Sequence, residues 1–217
     1  MNTSGVVYVV DDDRAFRGSV TLLLTAAGLN VESFESGKDL LVRLTREPLQ
    51  AAGCILADLR MPELDGLQLQ EACAAAGIEL PFVFLTGHGN LPSAVSAMRR
   101  GAVDFLEKCA TEQALLSSLE QALLRAAEAH AARKRRALLE RRFGALSERE
   151  REVLWHVVHG KMNKQIASTL GIHERTVKLH RNSITTKLGV RSVAELTTLS
   201  SEAAVFDASG YSYPQGN

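Results

Sequence analysis

The sequence predicts an α/β domain built on a five-stranded parallel sheet, joined by a helical linker to a smaller all-α domain. Three observations carry this. Short, uniformly apolar runs alternate with helix-like segments five times before about residue 125, the pattern of strands buried on both faces. Beyond that point only helical periodicity and helix-capping signals remain. Charge divides at the same place: residues 1–125 hold 10 Lys+Arg and 16 Asp+Glu, a net of −6, and residues 126–217 hold 15 and 9, a net of +6. The zero net charge of the 217-residue chain therefore conceals an acidic half and a basic half, and the basic half points to nucleic acid.

The first half reads in order as strand Val6–Val10, helix Arg14–Ala27, strand Leu29–Phe34, helix Lys38–Leu44, strand Gly53–Ala57 and helix Leu67–Ala76. Strand Pro81–Thr86, helix Pro92–Arg100, strand Ala102–Leu106 and a long helix from Glu112 follow. Phe16, Val20, Leu23 and Leu24 give the first helix its apolar face, and Gly28 suits its C-terminal stop. Right-handed crossovers then put helices on both faces of the sheet.

The long helix has no clear stop before Arg133-Lys134-Arg135-Arg136 and Arg141-Arg142, which reads as a basic helical linker with either a DNA-contacting or a merely solvated face. Ser147 with Glu150 forms a capping box opening a helix to Val158, ended by Gly160. Asn163 is expected to cap a helix over Lys164–Leu170; Gly171-Ile172-His173 is a turn; Glu174–Leu188 is the next helix, stopped by Gly189. Ser192 opens the last helix, to about Leu199. The boundaries are 5–125 for the first domain, 126–143 for the linker, 144–206 for the second domain and 207–217 for a disordered tail.

No apolar run reaches the ~18 residues of a membrane helix, and Met1–Gly5 does not open a signal peptide. Cys54, Cys73 and Cys109 are scattered and odd in number, which fits a reduced, cytoplasmic protein. His156 and His159 lack partners at ligand spacing and read as ordinary helix residues.

Chemistry concentrates at two strand ends. Val6–Val10 runs into Asp11-Asp12-Asp13, and Cys54–Ala57 stops at Asp58. In an open α/β sheet ligands bind beyond the carboxyl ends of the strands. Carboxylates gathered there repel unless a cation bridges them, and hard oxygen donors suit Mg²⁺.

Together with Thr86-Gly87-His88-Gly89 and Ala102-Val103-Asp104-Phe105-Leu106-Glu107-Lys108, these runs resemble the receiver domains of response regulators, closest to the FixJ/NarL type. The resemblance implies a flavodoxin-like strand order, 2-1-3-4-5. It implies that Asp58 accepts a phosphoryl group from a sensor histidine kinase, and that Asp11, Asp12, Asp58 and the Arg60 backbone carbonyl hold Mg²⁺. Thr86 and Lys108 would contact phosphoryl oxygens, and Phe105 would swing inward with Thr86 as the switch. Gly87 would leave room above the site, and Gly66 would allow a turn that most residues resist. One departure stands out. Receivers usually carry Pro after the lysine, in a cis peptide; here it is Cys109. A cis bond without Pro costs about 2.5–4 kcal/mol, so the Lys108–Cys109 peptide is expected to be trans, with Lys108 less well placed.

Residues 146–199 resemble the LuxR-type four-helix helix-turn-helix domain through Leu146–Glu150, Gly160, Asn163–Ala167, Leu170–Ile172, Arg175–Lys178 with His180, Lys187-Leu188 and Arg191-Ser192. Val177, Ile184 and Leu188 share one helix face and pack inward, while Lys178, Asn182 and Thr185 share the other, which would enter the major groove. The resemblance assigns Lys178, Leu179 and Asn182 to base edges. Lys161, Lys164, Arg175, Thr176, His180, Arg181 and Lys187 are candidates for phosphates. His173 stands where the family commonly has Ser or Thr as helix cap.

The resemblance implies a non-enzymatic transcription factor that dimerises on phosphorylation, binds double-stranded DNA and engages RNA polymerase. One alternative is a DNA-binding regulator whose receiver is a phosphorylation-independent dimerisation module, which Cys109 favours. Another is a phosphohydrolase with an aspartyl nucleophile, but no substrate pocket or general base is evident near Asp58.

Overall fold

The computed structural model describes residues 5–46, 51–87 and 91–203. The expected tail at 207–217 and His88-Gly89 lie outside them. Two compact units are present, residues 1–131 and 132–217. No helix of the described residues is long and apolar enough to cross a membrane.

The first unit alternates β1 (Val6–Val10), α1 (Arg14–Ala26), β2 (Asn30–Phe34), α2 (Gly37–Arg46), β3 (Gly53–Asp58), α3 (Gly66–Ala75), β4 (Phe82–Thr86), α4 (Leu91–Arg99), β5 (Asp104–Glu107) and the first part of α5 (Glu112–Gly144). All strand pairs are parallel, in the order β2-β1-β3-β4-β5. Side chains alternate across the sheet. Tyr8, Val10, Ile55, Ala57, Phe82 and Phe84 join Leu40, Leu44, Leu69 and Ala97 of α2, α3 and α4 in one apolar cluster. Val7, Val9, Cys54, Leu56, Val83 and Leu85 join Val20 and Leu24 of α1 and Leu115, Leu119 and Leu123 of α5 in the other. Each central strand is thus buried on both faces, which is why its sequence lacks polar alternation.

Element ends differ from the sequence expectation by one or two residues. The fifth strand starts two residues later than expected, because Ala102 N–H still closes the α4 turn onto the Ala97 carbonyl. Gly66 is constrained for a different reason from the one expected. It has no positive φ; a Cβ there would sit 2.5 Å from the Asp58 carbonyl oxygen and 3.0 Å from the Phe84 ring. Glu63, by contrast, adopts a φ of 65° in the same loop, and Lys38 ion-pairs with it at 2.6 Å.

The second unit contains α6 (Glu148–Val158), α7 (Asn163–Leu170), α8 (Glu174–Leu188) and α9 (Val193–Glu202). Val153, Leu154, Val157, Ile166, Leu170, Val177, Ile184, Leu188 and Leu196 form its core. Two corrections arise. The stretch read as linker, 126–143, supplies Leu139 and Phe143 to this core, so the end of α5 is a structural helix of the second unit. Its basic run hid an apolar pair at i, i+4. Asn163 is the first residue of α7 and not its cap. Met162 holds the capping position, its N–H bonded to Gln165 Oε1 at 2.8 Å, and Asn163 Oδ1 instead accepts from Arg181 at 3.0 Å. His173 caps α8 without a side-chain bond.

Candidate phosphoacceptor pocket and DNA-binding face

The carboxyl ends of β1, β3, β4 and β5 converge. Asp11 follows β1, Asp58 and Thr86 end β3 and β4, and Lys108 follows β5. Asp11, Asp58 and Thr86 are buried, while Asp12 is exposed at the mouth. Lys108 Nζ donates to Asp58 Oδ2 at 2.8 Å and pairs with Asp11 Oδ2 at 2.7 Å. Its backbone N–H is anchored on the Thr86 carbonyl at 2.8 Å, and its ammonium lies 4.3 Å from the centre of the Phe16 ring. The Lys108–Cys109 peptide is trans, as expected without Pro. Lys108 nonetheless reaches both acids, its backbone held by the Thr86 carbonyl and its ammonium by the two carboxylates.

Each acid has a fixed partner besides the lysine. Asp58 Oδ1 accepts from the Arg60 N–H at 3.2 Å, and Asp11 Oδ1 accepts from the Asp13 N–H at 2.9 Å. Arg17 donates to the Asp11 carbonyl at 2.5 Å. Asp13 caps α1, accepting from Ala15 and Phe16. Burial pushes the Asp11 carboxyl above the usual carboxylate range, opposed by the hydrogen bond from Lys108. For Lys108, burial works to lower the ammonium's pKa, but the hydrogen bonds to Asp11 and Asp58 outweigh it and hold the group above its usual value. One carboxylate oxygen from each of Asp11, Asp12 and Asp58 lies within 4.8 Å of the others. Three hard anionic oxygens with one exposed edge fit a small divalent cation. Phe105 is half-buried, 6.3 Å from Phe84 between ring centres, at the margin of the α2–α4 cluster. A Cβ on Gly87 would meet nothing within 4 Å.

In the second unit α8 presents two faces, as its spacing predicts. Val177, Ile184 and Leu188 are buried; Lys178, Leu179 and Asn182 are exposed, Leu179 at 62%. Lys164 and Arg175 are exposed, and Lys161, Thr176, His180 and Arg181 are half-buried. Lys187 is the exception among the phosphate candidates. Its Nζ turns inward to Glu150 Oε2 at 2.7 Å, and Ser183 donates to Glu150 Oε1 at 2.6 Å. Glu150 is only 5% exposed, so it needs that counter-charge. Burial alone would raise its carboxyl, but hydrogen bonds from Lys187, Ser183 and Ser147 hold its pKa at about 2. The sequence signalled Glu150 only as a cap, because nothing in local spacing links it to residues 33 and 37 positions away. The Phe16 and Arg17 contacts were likewise unmarked.

Two family models match. Residues 7–120 match the response regulator receiver domain, and residues 144–200 match the bacterial regulatory proteins of the luxR family. The chain belongs to the FixJ/NarL-type response regulators. It is 37% identical over 207 residues to the transcriptional regulatory protein FixJ of Bradyrhizobium diazoefficiens, covering 95% of this chain and all of that one. It is 38% identical over 193 residues to the response regulator protein TodT of Pseudomonas putida, covering 89% and 84%. The solved structure of response regulator StyR is similar with a TM-score of 0.85 and 45% identity, over 91% of this chain and 98% of that one. As a response regulator, the chain couples a receiver to a LuxR-type DNA-binding domain for transcriptional control.

Proposed function

We propose that a sensor histidine kinase phosphorylates this response regulator on Asp58, and that phosphorylation controls its binding to double-stranded DNA. The supporting observation is the geometry around Asp58, with one oxygen on Lys108 Nζ at 2.8 Å and the other on the Arg60 N–H at 3.2 Å. In the transfer, the bond from phosphorus to the kinase histidine nitrogen breaks and a bond from phosphorus to an Asp58 oxygen forms. Asp11, Asp12, Asp58 and the Arg60 carbonyl would hold Mg²⁺, which when bound neutralises charge on the carboxylates and the transferring oxygens. Lys108 releases one Asp58 oxygen and follows the phosphoryl group as a compact positive charge. Thr86 turns its hydroxyl to a phosphoryl oxygen, and Phe105 moves into the space it leaves.

The moved surface adjoins α4, where Leu91, Val95 and Met98 are exposed at helical spacing. Burying such a stripe favours a second copy of the chain, and two recognition helices then reach half-sites about one DNA turn apart. Lys178, Leu179 and Asn182 read base edges; Lys161, Lys164, Arg175, Thr176, His180 and Arg181 hold phosphates; the DNA-bound dimer engages RNA polymerase. The setting for these partners is the cytoplasm. The contacts of Lys108 with both acids support the phosphorylated reading over a phosphorylation-independent receiver.

The test is mass spectrometry after incubation with a small-molecule phosphodonor and Mg²⁺. One phosphoryl group mapped to Asp58 and lost in Asp58→Asn is expected. No label, or a label elsewhere, contradicts the reading.

A further inference from the structure

The recognition helix is held from outside the helix-turn-helix. The last carbonyls of an α-helix have no partner within it and carry the negative end of its dipole. At the end of α8, Gly189 turns left-handed with φ 67°, and its N–H and that of Val190 return to Thr186 and Thr185. Arg142 reaches the Leu188 carbonyl, its Nη1 donating at 3.3 Å. A Cβ on Gly189 would lie 3.9 Å from the same nitrogen, so the guanidinium also lines the turn. Arg142 is half-buried, unlike its neighbour Arg141, and Leu188 beside it is fully buried against the core that Leu139 and Phe143 join. On the other side, Glu150 grips α8 through Ser183 and Lys187.

We infer that Arg142 is a positioning residue for DNA recognition. Its guanidinium caps the carboxyl end of α8 and fixes the helix that carries Lys178, Leu179 and Asn182, without itself touching DNA. Arg142 precedes the residues matched to the LuxR-type domain and sits in a basic run whose obvious role would be phosphate contact. Its neighbours in that run are committed differently. Arg135 clamps Glu202 of α9 at 2.6 Å, and Arg136 pairs with Glu140 at 3.0 Å.

The two roles differ in salt dependence, because each phosphate contact adds about one unit to the slope of log affinity against log salt. The experiment uses the full chain, a duplex selected by it from a random pool, and a scrambled duplex of equal length. Arg142→Ala is expected to weaken binding to the selected duplex about five- to fifteenfold, with the salt slope and the scrambled-duplex affinity unchanged. Arg142→Lys, which keeps a cation near the carbonyl, is expected to recover most of that loss. Amide exchange at Gly189 and Val190 is expected to quicken in Arg142→Ala, and Arg141→Ala should leave it unchanged. Should Arg142→Ala not fold, Arg142→Gln is measured below its melting temperature. A slope reduced by about one with equal losses on both duplexes overturns the inference, as does unaltered binding to the selected duplex. Lys178→Ala serves as the DNA-face control, and only its failure to weaken binding bears on the assignment of α8 itself.

Discussion

Lys108 Nζ sits between Asp58 Oδ2 and Asp11 Oδ2, at 2.8 and 2.7 Å, so one ammonium is shared by two buried acids from neighbouring strands. Three strand ends are tied by one side chain reaching from the end of β5. The same cation is in position to follow whatever charge Asp58 acquires.

Removing that cation separates its two tasks. Lys108→Ala leaves Asp11 and Asp58 facing each other without their counter-charge. Stability of the first unit is expected to fall by about 2–4 kcal/mol without a divalent ion, and less when Mg²⁺ is present. Thermal melts of the variant with and without Mg²⁺ check this; an Mg²⁺ effect no larger than in the wild type contradicts it.

The close approach at Gly66 predicts a local effect on the pocket. A methyl group 2.5 Å from the Asp58 carbonyl must displace the end of β3 or the start of α3. Gly66→Ala is expected to destabilise the unit by about 1–3 kcal/mol and slow labelling of Asp58 by a phosphodonor. Gly87→Ala, which meets nothing within 4 Å, is the control that should melt like the wild type.

Glu150 gives the second unit a pH dependence. Its folded pKa of about 2 lies below the usual ~4.3 of a glutamate, so the stabilisation it provides is fully present above about pH 4.3. That stabilisation, roughly 2–3 kcal/mol, is lost as pH falls toward 2. Trp155, the single tryptophan, lies on the same helix and reports unfolding by fluorescence. Glu150→Gln should flatten the acid limb of the stability profile; an unchanged limb assigns it to other carboxylates.

The place of Leu139 and Phe143 in the core predicts where the DNA-binding unit begins. A fragment starting at Ala132 is expected to fold cooperatively. One starting at Gly144 loses both side chains, about 2–5 kcal/mol each, and is expected to be largely unfolded. Circular dichroism and DNA binding of the two fragments decide the matter.

The convergence of Asp11 and Asp58 was legible because parallel strands place their carboxyl ends on one edge, and apolar runs ending in acids mark those ends; Thr86 and Lys108 were assigned there by the family resemblance. The two faces of α8 were legible from helical spacing. What stayed hidden depends on long-range pairing or on mixed signals. Nothing in sequence ties Glu150 to Lys187, and the latter's charge suggested a phosphate partner when a buried acid had already claimed it. Leu139 and Phe143 were masked by the arginines around them. Gly66 looked like a turn residue, while the structure shows it excludes a side chain for lack of space. The absence of Pro at Cys109 suggested a displaced lysine, because sequence could not show that the Thr86 carbonyl anchors its backbone.

Esterification of Asp58 is expected to change DNA binding, and titration of the selected duplex measures that change. Affinity is measured for wild type and Asp58→Asn, each with and without phosphodonor and Mg²⁺. At least fivefold tighter binding by the phosphorylated wild type and no response in the variant are expected. Equal affinity in all four samples, with Asp58 shown to be labelled, contradicts this.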